Sequence, residues 1–181
     1  MESLEVDRNI RLEALKMWMA KDIFETIERD RTYLQSWLPF VELTTKLTDT
    51  ENFIQSILNQ PQIKKDEIYS IWFKNEFAGL IGFKDTDWLN RKTELGYWLA
   101  EKMQGKGIAT KCVDKLSRYA FLKLKLNRIQ IKTAVGNSKS AAIPERLGFK
   151  FEGIEREGEK HNHSFVDLEI YSILKTDYKT T

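Results

Sequence analysis

The segment from residue 93 to residue 134 limits the fold more than any other part of the chain. "TELGYWLA" alternates as a strand does, and "MQGKGIAT" then sets two glycines one residue apart. From there Ile108, Cys112, Leu116, Tyr119, Ala120 and Leu124 recur every three or four residues, with Lys111, Asp114, Lys115 and Arg118 opposite them. That spacing predicts a long amphipathic helix. In "RIQIKTAV", Ile129, Ile131 and Thr133 alternate with Arg128, Gln130 and Lys132, which predicts a half-buried strand. Strand, helix and strand in that order predict one parallel crossover in the middle of the chain.

The flanking sequence supplies mostly antiparallel material. "SLEV" and "IRLEAL" read as short strands, and "MWMAKDIFETIERDRTYLQSWL" as a broken helix that Pro39 ends. Thr48 with Glu51 three residues later has the form of a capping box opening a second helix, which Pro61 closes. Residues 68–73 and 77–88 read as a hairpin turning on "KNE", and with the strand at 93–100 they form a three-strand meander. Asn137 is placed to cap a short helix in "SKSAAIPERL", with Gly148 at its C-terminal end. Two strands, near 149–154 and 164–174, follow. The fold class is therefore α+β, in a single domain spanning residues 1–181.

Composition sets the function classes. Of 181 residues, 41% are apolar and 31% charged, a globular balance. The 29 basic and 27 acidic residues leave a formal charge of +2, so no nucleic-acid partner is expected. The single cysteine, Cys112, excludes an internal disulfide and a cysteine-based zinc site, and its place on the apolar stripe points to the core. The chain holds no apolar run of membrane-spanning length and its start lacks a signal-peptide core, so no membrane partner and a cytoplasmic location are expected. His161 and His163, in polar "EKHNHS", read as surface-loop residues, and no metal is expected. No Ser/His/Asp pattern supports hydrolysis.

Glycines before a helix expose backbone amides at the positive end of the helix dipole, which makes an anion seat. A P-loop needs Gly, four residues and Gly-Lys-Ser/Thr, a spacing this chain lacks. A dinucleotide fingerprint fits in part through Gly105, Gly107 and Thr110. However, "AEKMQ" separates the glycines from the strand, and no acidic residue ends "RIQIKTAV". A third pattern fits without strain: Gln104, Gly107 and Ala109 form Q-x-x-G-x-A. With "ELGYWLAEKMQGKG", "NRIQIKTAVGNSKS" and "ERLGF" in order, the chain resembles the GNAT superfamily of acetyl-CoA-dependent N-acetyltransferases over residues 66–174. "GYWL", "PERLGF" and the early "WLP" most resemble the RimJ/RimL type, which acetylates N-terminal serine or alanine of ribosomal proteins.

The resemblance implies a GNAT fold, with the sheet splayed between its two parallel strands, and acetyl-CoA as co-substrate. The pantetheine arm is expected along Trp98, Leu99 and Ala100. Its pyrophosphate is expected on the amides of Gln104, Gly105, Lys106, Gly107, Ile108, Ala109 and Thr110. The Lys106 and Lys111 side chains are either phosphate contacts or solvated. Asn137 is expected both to cap its helix and to bind the pantetheine amides.

Two glutamates compete as base. Glu94 lies on the strand and Glu101 just past it; otherwise they are a paired strand-face charge and a solvated loop residue. Many members place a tyrosine at the position of Pro144 to protonate the sulfur. Proline has no such proton, and Ser140 is the nearest hydroxyl in the motif, either as donor or water-holder for the thiolate or as a plain first-turn residue. Trp37 and Phe40 would wall an acceptor groove or pack in the core. The expected acceptor is a primary amine, a protein N-terminus before a polyamine or drug. A non-catalytic acetyl-CoA-binding module and a dinucleotide-dependent oxidoreductase are the competing classes. A homodimer is compatible with this sequence, which does not settle oligomeric state.

Overall fold

Two residues with left-handed backbone, Lys74 (φ 51°) and Asn75 (φ 66°), turn β3 (Ile68–Phe73) into β4 (Glu76–Asp87). A two-residue turn of that kind matches the twist of a hairpin. The computed structural model describes residues 3–61, 67–161 and 164–178. The chain divides into two units, Met1–Ile81 with Tyr97–Ile108 and Gly82–Gly96 with Ala109–Thr181. Two strands, β4 and β5 (Lys92–Leu99), run through both.

In the first unit the strand order is β1 (Leu4–Asp7), β2 (Ile10–Ala14), β3, β4, β5. Antiparallel pairing joins β1 to β2 and β2 to β3. Four helices follow β2: α1 (Ala20–Arg29), α2 (Arg31–Leu34), α3 (Phe40–Leu43) and α4 (Leu47–Leu58). Their apolar sides close over Trp72, Phe77 and Leu80, with Ile23, Ile27, Leu34, Val41 and Ile54 buried. Half-buried Tyr33 and Trp98 pack at the margin of this core.

Two expectations need correction here. The first helix is broken as expected, at Asp30, but Pro39 does not end it: α2 stops at Leu34, and Pro39 (φ −61°) instead opens α3. Proline's fixed φ suits the first turn of a helix, where its missing N–H costs nothing. Arg31 ties the intervening loop by donating to the Val41 and Thr44 carbonyls, both at 2.5 Å. At α4 the back-reaching carboxylate is Asp49, not Glu51. It accepts from the N–H groups of Thr45 (2.9 Å) and Lys46 (3.0 Å), in a register that starts before the one Thr48 would set.

In the second unit the order is β4, β5, β6 (Arg128–Ala134), β8 (Ser164–Leu174), β7 (Lys150–His161). The crossover helix α5 (Ile108–Leu122) joins β5 to β6, which pair in parallel through Lys92↔Arg128, Thr93↔Ile129 and Glu94↔Gln130. β6 runs on to Ala134 and pairs antiparallel with β8 from Arg128↔Leu174 to Ala134↔Leu168. Between β6 and β7 lies α6 (Ser138–Arg146). Cys112 is fully buried, as its place on the apolar stripe predicts.

β7 is longer than its sequence suggests. Irregularities between Phe151 and Gly153 and between Glu155 and Glu159 interrupt the alternation that marks a strand. As a result His161 is not a loop residue: it ends β7, pairs with Ser164 and holds Glu159 through Nε2 at 2.7 Å. His163 lies outside the described residues.

Candidate active site

The end of β5 is shaped by a glycine on its neighbour. Gly79 of β4 has φ +149°, and a Cβ there would lie 2.0 Å from the Trp98 carbonyl oxygen and 2.9 Å from the Leu99 Cα. Only glycine permits that approach. One residue beyond β5, Ala100 still donates its N–H to the Ala78 carbonyl at 2.8 Å. Trp98 is ringed by Phe77 (centroids 6.0 Å) and Phe40 (6.4 Å), so Phe40 meets a residue expected to line the pantetheine path. Trp37 is half-buried in the loop before α3.

Glu101–Met103 form a 3-10 turn, and Gln104 leads into the two glycines. Gly105 and Gly107 have φ of +70° and +72°, and a Cβ on either would meet no other atom within 4 Å. The loop is therefore left-handed where L side chains are strained, and open where a ligand would approach. Ile108 follows as the first residue of α5, with Ile108 and Ala109 buried and Thr110 half-buried. The first N–H groups of a helix have no partner within it, so amides after Gly107 are available to an anion. The Lys106 ammonium lies over the Phe73 ring at 5.7 Å, with Met103 Sδ 3.9 Å off. At the other end of the loop, Arg146 donates to the Thr110 hydroxyl at 2.9 Å.

The two candidate glutamates occupy opposite surroundings. Glu94 has a side chain only 11% exposed, held by Lys84 at 2.7 Å, Lys132 at 3.9 Å and the Gln130 amide at 3.3 Å. Burial would depress the Lys84 ammonium, but its hydrogen bond and charge pairing with Glu94 raise it above the ordinary lysine value. The Glu101 carboxylate is exposed and has no hydrogen-bond or ion-pair partner among the described residues, while its backbone N–H is held by Asp30 at 2.9 Å. Nearby, burial first and the Glu101 charge second raise the Tyr33 phenol above its ordinary value, against a lowering hydrogen bond to Gln104.

Asn137 caps α6: its side-chain oxygen accepts from the Ser140 N–H at 3.2 Å, as expected. Ser140 is half-buried in the first turn. Pro144 stands inside α6, buried, with no N–H to return to the Ser140 carbonyl. The fold thus gathers Trp98 to Ile108 around the end of β5 in one unit, and holds Glu94, Asn137 and Ser140 in the other.

Sequence reasoning missed Gly79, Asp30, Tyr33 and Arg146. Gly79 had a usable signal, since a glycine inside a strand marks a close backbone approach. Asp30 and Tyr33 had none, as the residues they meet lie far along the chain. Among the described residues no cluster of His, Cys, Asp or Glu could hold a metal, and no helix is long and apolar enough to cross a membrane.

An α+β fold whose crossover helix is headed by backbone amides is compatible with an enzyme that uses a phosphorylated carrier. The chain belongs to the acetyltransferase (GNAT) domain family, whose profile matches residues 10–150. YdaF of Bacillus subtilis (strain 168) is 36% identical over 180 residues, covering 99% of this chain and 98% of its own. RimL, a ribosomal L7/L12 alpha-N-protein acetyltransferase solved with coenzyme A, superposes with a TM-score of 0.91 at 25% identity, covering 96% of this chain and 98% of RimL. The microcin C7 self-immunity acetyltransferase MccE, solved with acetyl-CoA and AMP, gives a TM-score of 0.89 at 29% identity over 94% and 95% of the two chains.

Proposed function

We propose that this enzyme moves the acetyl group of acetyl-CoA to the α-amine of a protein N-terminus, with a ribosomal protein as the leading acceptor. The observation that carries the donor is the open, left-handed loop at Gly105 and Gly107 heading α5 in a GNAT chain, together with the coenzyme A bound by RimL. A diphosphate suits amides from Gln104 to Thr110, which supply donors without a dedicated cation. Trp98, Leu99 and Ala100 offer strand backbone to pantetheine, and Asn137 offers its amide. The acceptor class rests on the likeness to RimL.

In the reaction the amine nitrogen attacks the thioester carbonyl carbon, the C–S bond breaks, and the amine proton leaves for a base. An α-amino group titrates near ~8 and a lysine near ~10.4, so at neutral pH about a tenth of the former is already neutral. A modest base suffices. Glu101 fits that role through a water, since its carboxylate is exposed and has no ion-pair partner among the described residues. Glu94 is committed to lysines. The proton taken from the amine returns through solvent to the leaving thiolate, with Ser140 proposed as the hydroxyl that passes it on or holds the water that does. A thiol reference near ~8.5 asks for little help.

The test is free-thiol release from acetyl-CoA over N-terminal peptides, polyamines and antibiotics, with mass spectrometry of the product. Acetylation at a peptide α-amine supports the reading. Turnover of small amines alone would overturn the acceptor class, and no turnover with tight acetyl-CoA binding would make the chain a binding module.

A further inference from the structure

Asp30 stands where α1 ends and α2 begins. Its N–H closes on the Thr26 carbonyl at 3.0 Å, and its own carbonyl receives the N–H groups of Tyr33 (3.0 Å) and Leu34 (2.9 Å). Those bonds account for its backbone, not for its side chain. The carboxylate is only 6% exposed, and a buried charge is retained only when its oxygens are filled. Arg29 fills both oxygens, Nε to Oδ1 at 2.8 Å and Nη2 to Oδ2 at 3.0 Å. A further donor to Oδ2 is the backbone N–H of Glu101, at 2.9 Å from a residue 71 positions away. Ala100 still holds β4 through its backbone N–H, and Glu101 has the next amide along the chain.

We propose that Asp30 is a positioning residue for acetyl transfer: its buried carboxylate takes the Glu101 N–H and fixes the turn that presents the Glu101 carboxylate. The assignment rests on the reading of Glu101 as base. Water could satisfy an exposed amide, but it would leave the turn free to swivel. A carboxylate anchored to Arg29 gives the bond one direction. Burial would push the Asp30 carboxyl up, yet the Arg29 hydrogen bonds, the Glu101 amide and the charges of Arg29 and Lys102 hold it below the usual carboxylate range. It is therefore an ionised acceptor at neutral pH. Tyr33 faces the same turn as a protonated phenol, and Lys102 is engaged by Glu76.

The test compares Asp30→Ala, Asp30→Asn, Glu101→Gln and the Asp30→Ala/Glu101→Gln double variant in steady-state kinetics, with amide exchange at Glu101 read by NMR. Loss of the acceptor in Asp30→Ala should lower kcat by about 20-fold, keep KM for acetyl-CoA within about twofold, and speed Glu101 exchange by about tenfold or more. Asp30→Asn keeps an oxygen for the amide and should stay within about threefold of the parent in both readouts. The double variant should be no slower than Glu101→Gln alone, because Asp30 acts through Glu101.

A parental kcat in Asp30→Ala overturns the proposal, as does equal damage in Asp30→Asn and Asp30→Ala. If Asp30→Ala does not fold, Asp30→Asn decides: a loss beyond about tenfold or unprotected Glu101 exchange overturns the assignment, and parental values support it. Glu101→Gln at the parental rate overturns the base reading and with it the purpose given to Asp30. A slow Glu101→Gln beside a fast Asp30→Ala overturns the Asp30 assignment alone.

Discussion

The middle of β5 and the turn that follows it each present a glutamate, and they are held by opposite means. At Glu94 the side chain is the fixed part, engaged by Lys84, Lys132 and Gln130. At Glu101 the backbone is fixed by Asp30, and the carboxylate is left to other work. The glycine loop, open at Gly105 and Gly107, extends the second pattern, because the anion seat proposed there uses amides rather than side chains. Groups committed to a salt bridge stabilise the fold; groups held by their backbone stay available for chemistry.

The harshest way to break that contrast is at the loop. Gly107→Glu puts a negative side chain into the open front of the seat and should weaken coenzyme A binding by more than about 100-fold in calorimetry. Gly107→Ala is the control. It carries only the left-handed strain of about 1–2 kcal/mol, visible as a lower unfolding midpoint. Unchanged affinity in Gly107→Glu would move the cofactor off this loop.

The two glutamates give the next largest effect. Glu101→Gln should lower kcat by about 100-fold at neutral pH, with a deficit that narrows as pH rises past ~8 and the amine deprotonates unaided. Glu94→Gln should keep kcat within about threefold and instead cost about 1 kcal/mol of stability, read from the urea midpoint. The reverse result would exchange their roles. Ser140→Ala should slow turnover by about fivefold with acetyl-CoA affinity unchanged, since a thiol leaves readily. Equal rates would remove its part in the reaction.

How much of this the sequence shows depends on range. The crossover from residue 93 to residue 134 was legible because its apolar period changes from two to about 3.6 and back within one stretch. The Asn137 cap was legible for the same local reason. The Asp30 to Glu101 bond was not, because 71 residues separate its partners and no local pattern encodes a tertiary hydrogen bond. Glu94 was ambiguous because alternation tells which face a strand residue takes, but not that Lys84 and Lys132 share that face. Pro39 misled because proline both ends and begins helices.

The smallest effect sharpens the contrast in a place remote from chemistry. Glu152 on β7 is another carboxylate locked by its side chain: Arg128 donates to it twice, and the Ser172 hydroxyl donates at 2.6 Å. The hydrogen bonds from Arg128, then Ser172, hold its carboxyl at about 2 against an ordinary value of 4.5. A depressed folded-state value stabilises above the ordinary one, so the contribution is complete above pH 4.5 and drains away as pH falls toward 2. With its side chain 40% exposed, solvent screening limits the contribution to about 1 kcal/mol. Glu152→Gln should therefore lower the urea midpoint at pH ~6, and the gap from the parent should shrink by more than half at pH ~3. Turnover should not change, because this carboxylate, like Glu94, is committed to the fold. A gap that persists undiminished into acid would mean that Glu152 acts by packing rather than charge.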